Sequence, residues 1–425
     1  LSELGWKYLT REDKAAILKG VEDGVAYGGP YHVEFHPADR CNIDCFFCST
    51  AALRGTDEIP MPRFEEMLGE LKEAGTRAIR LSGGGEPFFH RSIKPFLQAI
   101  AGSGIPIENV TTNAVLLRPE IVELILPVCD QITVSLNTGD EASYASMMKT
   151  NPKNFQRVVD NVKHLVAERR KRGLKRPLVN LQFLVWKENY RTIPGMYRLA
   201  REMGVDTILF NGLAYLTPEQ HMSEAETEEM MGLYEQVVRE DEFRKVACIN
   251  SFEQDLTEQV NQMKRRIGGD RSSSPVRRAA RFLMRDDFTL GEKVDHFARK
   301  ARERRALKHN QGLEDYCIIG WHSMLVRTTG VVAPCCILQG KELGNVYQQS
   351  IRDVWHGEGY RQFRRELSRI LKERSHWQYD EGTDKTVDAM CGQKNGCPIA
   401  SFYYWPDLRF MRSFNESVKR LEGSA

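Results

Sequence analysis

Between residues 31 and 210, short apolar runs alternate with helical patterns, and this alternation restricts the fold more than any other feature of the chain. A helix over Thr10–Gly24, with Thr10 as N-cap and Ala15, Ile17, Leu18 and Val21 apolar within it, precedes a first strand at Tyr31–Phe35. Helix Arg63–Glu73 then leads to strand Ala78–Leu81, and helix Ile93–Ala101 to strand Asn109–Thr112. Helix Glu120–Leu126 leads to strand Gln131–Leu136, and a long helix at Phe155–Lys171 to strand Leu178–Val185. Helix Ile193–Met203 leads to a last strand, Thr207–Phe210. Strands that alternate with helices pair in parallel through right-handed crossovers. Six sequential units predict an α/β fold, a partial (β/α)6 barrel.

After residue 216 the texture changes. Residues 218–242 hold nine carboxylates against one arginine, and Glu224–Val246 reads as one helix opened by a Ser223/Glu226 capping box. Residues 264–308 hold 15 Lys and Arg against six Asp and Glu, including the Gly- and Ser-rich stretch 268–275. A basic stretch is a candidate RNA contact, but this one lacks interleaved aromatics and lies beside an acidic helix, so a solvated or charge-paired helical insert is the better reading. From residue 317 short strands and turns return: Ser323–Arg327, a turn at Thr328-Thr329-Gly330 and Val331–Ala333 predict a hairpin, followed by helices at Ile351–Trp355 and Tyr360–Leu371.

Sixty basic against 58 acidic residues argue against a dominating polyanionic partner. No run of 18 apolar residues offers a membrane span, and the first 40 residues carry no apolar signal-peptide core. A cytoplasmic location is expected. The ten cysteines fall at 41, 45, 48, 129, 248, 317, 335, 336, 391 and 397. In a reducing compartment such clusters are more often metal ligands than disulfides. Cys129 and Cys248 stand alone and read as core thiols.

Cys41, Cys45 and Cys48 lie on one loop directly after the first strand. Three thiolates on a short loop can hold three corners of a cubane iron–sulfur cluster and leave the fourth iron open to a small molecule. A zinc site completed by His36 or Asp44 is the alternative. Glycines of Ser82-Gly83-Gly84-Gly85-Glu86-Pro87 follow a strand, where a missing Cβ lets backbone come close to a ligand.

The Cys-x3-Cys-x2-Cys spacing, with aromatic Phe47 before the last cysteine, resembles the signature of the radical S-adenosylmethionine superfamily over about residues 30–215. The resemblance implies a [4Fe–4S] cluster whose open iron is chelated by S-adenosylmethionine, and a 5′-deoxyadenosyl radical that takes hydrogen from a substrate. It also implies that Gly83, Gly84, Gly85, Glu86 and Pro87 form the stretch facing the methionine amino group. Thr112, Asn113, Ser135, Asn137 and Gln182, at strand ends and on the fifth strand, resemble positions that meet the cofactor; Asn211, after the sixth strand, is a further cavity candidate. Two departures stand out: Ala114 follows Asn113 where a glycine is usual, and Asn137 stands where aspartate is common.

The second cluster begins with Cys317-x12-Gly330-x4-Cys335, followed by Cys336, Cys391 and Cys397. It resembles the SPASM and twitch extensions of the same superfamily, as do Trp321, Pro334, Gly344-Asn345-Val346 and Trp355. The full SPASM pattern needs about seven cysteines, and five remain here. The resemblance therefore implies one auxiliary [4Fe–4S] cluster on Cys317, Cys335, Cys391 and Cys397 with Cys336 spare, while a structural zinc stays open.

The expected organisation is an N-terminal helical segment (1–29), the partial barrel (30–215), a charged helical insert (216–316) and a small C-terminal α+β iron–sulfur domain with its tail (317–425). No Ser/His/Asp or paired-carboxylate arrangement points to hydrolysis. The expected enzyme is an oxidoreductase that oxidises, deoxygenates or epimerises a small sugar-, aminocyclitol- or nucleoside-like molecule, with flavodoxin or ferredoxin as electron donor. Modification of a ribosomally made peptide or of a protein side chain is the rival, although only about 40 residues precede the cysteine loop. A non-catalytic metal- and RNA-binding protein is the remote alternative.

Overall fold

The computed structural model describes residues 8–212, 222–241, 247–250, 318–336, 338 and 340–373. Helix α1 (Arg11–Asp23) is closed at its start by a reciprocal box between Thr10 and Asp13 and ends at Gly24 in the left-handed conformation. The barrel follows as β1 (His32–Phe35), α2 (Met61–Glu73), β2 (Ala78–Leu81), α3 (Ile93–Ser103), β3 (Ile107–Thr112), α4 (Pro119–Ile125) and β4 (Gln131–Ser135). It continues through α5 (Glu141–Met148), α6 (Lys153–Lys171), β5 (Leu178–Val185), α7 (Ile193–Met203) and β6 (Thr207–Gly212). These six strands pair in parallel in sequence order, as the alternation requires.

Two features extend the sheet beyond the expected barrel. Helix α8 (Glu224–Asp241) carries the Ser223/Glu226 box, but Ala247–Asn250 forms a strand, β7, parallel to β6. The stretch expected to be a helical insert thus supplies a seventh parallel strand; beyond 222–241 and 247–250 its residues, including the basic run, lie outside the described ones. At the opposite edge, short helix α9 (Ile319–His322) leads into β8 (Ser323–Val326), which pairs in parallel with β1. The expected hairpin then adds β9 (Val331–Ala333), and β10 (Gly344–Asn345) follows antiparallel. Helices α10 (Ile351–Trp355) and α11 (Glu358–Glu373) complete the described chain.

The C-terminal segment is bound to the start of the chain. The indole nitrogens of Trp321 and Trp355 donate to the carbonyls of Val25 and Gly28, each at 2.9 Å, and Ser368 donates to Val21 at 2.6 Å. Arg63 on α2 reaches the Val346 carbonyl at 2.7 Å and pairs with Glu70 at 2.5 Å. The turn glycine Gly330 has φ +77, and a Cβ there would meet the Tyr347 ring at 2.5 Å. Several residues that resembled the extension therefore serve its packing.

The two sheet faces differ in chemistry. One carries Val33, Phe35, Ile79, Leu81, Val110, Ile132, Val134, Leu181 and Phe183, all buried. Phe35 meets Phe64 of α2 edge-on at 5.2 Å, and Phe210 meets Tyr234 of α8 at 5.5 Å, so this face lies under the helices. The other carries one row Leu325, Glu34, Arg80 and Asn109, and a second row Thr111, Thr133, Asn180 and Thr207. Parallel strands covered on both faces usually read as continuous apolar runs. Here polar and apolar residues alternate, which leaves a polar face opposite the helices. Among the described residues no helix is long and apolar enough to cross a membrane.

Candidate active site

The C-terminal ends of the parallel strands share one edge, and the loops that leave it carry most of the chemically distinctive residues. The cysteine loop leaves β1, Gly83–Pro87 leaves β2, Thr112 and Asn113 close β3, and Ser135 and Asn137 close β4.

The glycine stretch is shaped by the chain itself. A Cβ on Gly85 would lie 2.0 Å from the Arg40 carbonyl oxygen, and one on Gly84 would lie 2.7 Å from an Asp39 carboxylate oxygen. The Gly85 and Glu86 amides donate to the carbonyls of Ala38 and Arg40 at 3.0 and 2.9 Å. The missing side chains thus let this turn lie flat against the base of the cysteine loop. Asp39 is held in turn by Thr328 at 2.5 Å, which joins the turn after β8 to the same base.

Glu86 is buried and joins two strand ends. Its carboxylate accepts from Thr112 Oγ1 at 2.6 Å, the Asn113 amide at 2.8 Å and the Phe88 amide at 3.2 Å. Burial pushes it up to about 7 against the pull of those three donors. Asn113 donates to Asn42 at 2.8 Å and to Cys41 Sγ at 3.8 Å, while its own oxygen accepts from the Val115 amide. Ala114, where a glycine was usual, has φ +58 and is buried. The position favours glycine for a backbone reason, and alanine adopts it here.

Asn137 also has positive φ, at +62, which suits asparagine. Its side chain is committed within the fold, accepting from the Leu184 amide at 3.2 Å and donating to Met148 Sδ at 3.8 Å. Ser135 donates to Gln182 at 3.5 Å, on the polar face. Phe47 meets Phe46 edge-on at 5.2 Å, and Phe46 lies 4.7 Å from Trp186. The structure thus brings Cys41, Cys45, Cys48, Glu86, Thr112 and Asn113 into one connected network, with Asn137 and Met148 at its side.

Sequence reasoning missed two contributors. Helix α5, capped by Asp140 through the Ser143 amide at 2.8 Å, carries the cysteine loop: its Met147 and Met148 carbonyls accept from the Phe46 and Asp44 amides at 3.3 and 3.1 Å. The second is the polar ladder across the strands. Glu34 lies 3.4 Å from His36 and 4.0 Å from Arg80, and Arg80 donates to Thr111 at 3.2 Å. Thr133 donates to Asn109 and Asn180 to Gln131, each at 3.1 Å. At the far end, His32 pairs with Glu108, beside the β3 irregularity that shifts register between Ile79 and Arg80. The polar residues recurring at every second position of β1 and β4, and at Asn180 and Gln182 of β5, were the available signal.

The donor set suits an iron–sulfur cluster. Burial pushes the Cys41 and Cys45 thiols up to about 11 and about 12 in the metal-free chain, so only a bound metal would hold them as thiolates. Three soft sulfur donors on one short loop suit three corners of a cubane, one thiolate per iron. In the C-terminal segment Cys335 is buried at the end of β9 with Cys336 beside it, whereas Cys317, Cys391 and Cys397 lie outside the described residues. Cys129 is a buried thiol that donates to the Gln131 carbonyl, as a core cysteine would; the side chain of Cys248, in β7, lies outside the described ones.

Residues 35–211 match the family model of the radical SAM superfamily, so the chain carries a radical SAM domain. Residues 317–381 match the SPASM iron–sulfur cluster-binding domain. A radical SAM domain implies a [4Fe–4S] cluster and S-adenosylmethionine, and the SPASM segment implies auxiliary iron–sulfur. A GTP 3′,8-cyclase of Rhodopirellula baltica is 32% identical over 130 residues, 29% of this chain and 35% of that protein. A tungsten-containing aldehyde ferredoxin oxidoreductase cofactor-modifying protein of Pyrococcus furiosus is 26% identical over 184 residues, 43% of this chain and 51% of that one. These matches therefore span a third to a half of the relatives' length. In fold the chain resembles Streptococcus suis SuiB bound to S-adenosylmethionine, with a TM-score of 0.54 and 17% identity over 90% of this chain and 76% of that one.

Proposed function

We propose that this enzyme acts on a small, polar, sugar-, aminocyclitol- or nucleoside-like molecule and catalyses an oxidation, deoxygenation or epimerisation. The observation that carries the reading is the polar face of the sheet, where half-buried Thr111 and Gln182 stand among the buried polar groups Glu34, Arg80, Asn109, Thr133 and Asn180. Such a wall recognises hydroxyl, amino or phosphate groups and leaves unpaired polar groups against an apolar ligand. The cyclase relatives, named for a nucleotide, agree with it. A peptide substrate is the second reading, supported by the likeness in fold to SuiB, which is also known with its precursor peptide SuiA.

In this scheme Cys41, Cys45 and Cys48 hold the cluster, and Phe47, Gly83, Gly84, Gly85, Glu86, Pro87, Thr112, Asn113, Ser135, Asn137 and Gln182 line the S-adenosylmethionine side. When bound, these groups supply a 5′-deoxyadenosyl radical able to take hydrogen from an unactivated carbon. The chain's own part is placement. The turn after β2 and the end of β3 are locked together through Glu86, which fixes the cysteine loop against the strand ends. Arg80, held between Glu34 and Thr111, gives the polar wall a fixed positive group to orient substrate. Cys317, Cys335, Cys391 and Cys397 would hold one auxiliary [4Fe–4S] cluster, in the twitch manner, which would supply an acceptor for the second electron of an oxidation, and flavodoxin or ferredoxin would be the electron donor in the cytoplasm.

Two measurements test this. Release of 5′-deoxyadenosine by the reduced enzyme should rise with members of a sugar, aminocyclitol and nucleoside panel; stimulation by peptides alone would reverse the substrate reading. After Cys41, Cys45 and Cys48 are replaced with alanine, about four irons per chain should remain, as one [4Fe–4S] unit. Zinc in their place would make the C-terminal site structural.

A further inference from the structure

The hydrogen-bond inventory around the three cysteines has one gap. Cys41 Sγ accepts from Asn113 Nδ2 at 3.8 Å. Cys48 Sγ lies 3.3 Å from Thr50 Oγ1 and is also hydrogen-bonded by Arg54. Cys45 Sγ, however, meets the Met148 thioether at 3.6 Å, where the thiol is the donor. Once Cys45 ligates iron it has no proton to give, and two sulfur lone-pair surfaces would face each other in a buried place. A thiolate there calls for a donor.

Tyr144 is placed to supply it. It lies one helical turn before Met148 on α5, so the two side chains share a face of the helix. That helix is joined to the cysteine loop on either side of Cys45, through the Asp44 and Phe46 amides. The Tyr144 ring is fully buried, and its hydroxyl has no hydrogen-bond partner among the described residues. Leaving a buried hydroxyl unpaired is costly, so one that persists calls for an explanation. Burial first, and then the neighbouring Cys45, Glu86 and Cys41, raise its pKa, so the phenol keeps its proton and stays a donor.

We propose that the Tyr144 hydroxyl donates a hydrogen bond to the sulfur side of the N-terminal cluster at Cys45, and that this bond raises the cluster's reduction potential. The inference rests on Cys41, Cys45 and Cys48 being the cluster ligands. A donor stabilises the reduced cluster more than the oxidised one, because reduction adds negative charge that spreads onto the sulfurs.

The test is an EPR-monitored redox titration of the full, anaerobically reconstituted chain, following the signal that changes when S-adenosylmethionine is added. Tyr144→Phe should lower the reduced-to-oxidised ratio at a fixed potential about three- to tenfold, a midpoint shift of about 30–60 mV downward for a one-electron couple. Wild-type chain carrying 3,5-difluorotyrosine at position 144, a more acidic and stronger donor of nearly the same shape, should shift upward. Opposite shifts support the bond; a purely structural role for the ring would give no upward shift. An unchanged midpoint in both, or a downward shift in both, overturns the proposal. If the phenylalanine variant takes up no cluster, the fluorinated chain alone decides it by the same sign. Should no signal respond to S-adenosylmethionine, the cluster assignment itself falls, and this inference with it.

Discussion

Replacing Gly85 with alanine tests how the turn after β2 meets the cysteine loop. The new Cβ would sit 2.0 Å from the Arg40 oxygen, 2.5 Å from its carbonyl carbon and 2.6 Å from that of Asp39. All three are backbone atoms, so no side-chain rotation relieves them. The two chains must part by more than an ångström, which stretches the bonds from Gly85 to Ala38 and from Glu86 to Arg40. Overpacking costs about 1–3 kcal/mol and each weakened bond about 0.5–1.5 kcal/mol, for a sum of about 2–6 kcal/mol. Gly69, inside α2 with nothing within 4 Å of its Cβ position, is the control. Gly69→Ala should gain about 0.5–1 kcal/mol through helix propensity. Urea unfolding of both variants, with iron content measured in parallel, should show Gly85→Ala losing midpoint and N-terminal iron while Gly69→Ala gains midpoint and keeps its iron. A Gly85→Ala chain as stable and as iron-loaded as wild type would refute the account of this contact.

Two further expectations concern buried groups. Burial alone would raise Glu34, but the hydrogen bond with His36 and the charges of Arg80, His36 and His32 outweigh it and hold the carboxyl at about 2 against an ordinary 4.5. Its folded value lies below its unfolded one, so its stabilisation is complete above about pH 4.5 and is lost as pH falls toward 2. Urea midpoints between pH 6 and 3 should fall less steeply for Glu34→Gln than for wild type, and equal slopes would remove Glu34 from the acid limb. At Ala114, Ala→Gly relieves about 1–2 kcal/mol of left-handed strain. It also gives up a buried methyl of about 0.8 kcal/mol and adds chain freedom of about 0.5–1 kcal/mol. Thermal unfolding should place this variant within about 1 kcal/mol of wild type; a larger loss would mean that packing, not tolerance, holds the alanine.

The six barrel units were legible because each strand and helix advertises its own period, and the cysteine loop because three ligands are adjacent in sequence. What escaped notice depends on partners far away or on short elements. Helix α5, eight residues of mixed small and apolar character, shows no stripe; its signal is the Asp140 cap. Strand β7 follows an acidic helix whose pattern runs straight toward it, and only pairing with β6 makes Ala247–Asn250 a strand. The glycine turn was read as clearance for a ligand, and the sequence did not show that a Cβ at Gly84 or Gly85 would also meet Asp39 and Arg40. Tyr144 could not be singled out at all, since its meaning comes from the loop packed against its helix.

The strand that carries the cysteine loop is sealed on one side by β2 and on the other by β8, from roughly 290 residues further along the chain. At about 5–20 residues per second, synthesis delivers β8 some 15–60 s after β1. Until then β1 is an open edge, and the floor beneath the cysteine loop lacks the Asp39–Thr328 clasp. The order of synthesis thus makes the floor of the cysteine loop one of the last parts of the described sheet to gain its partner.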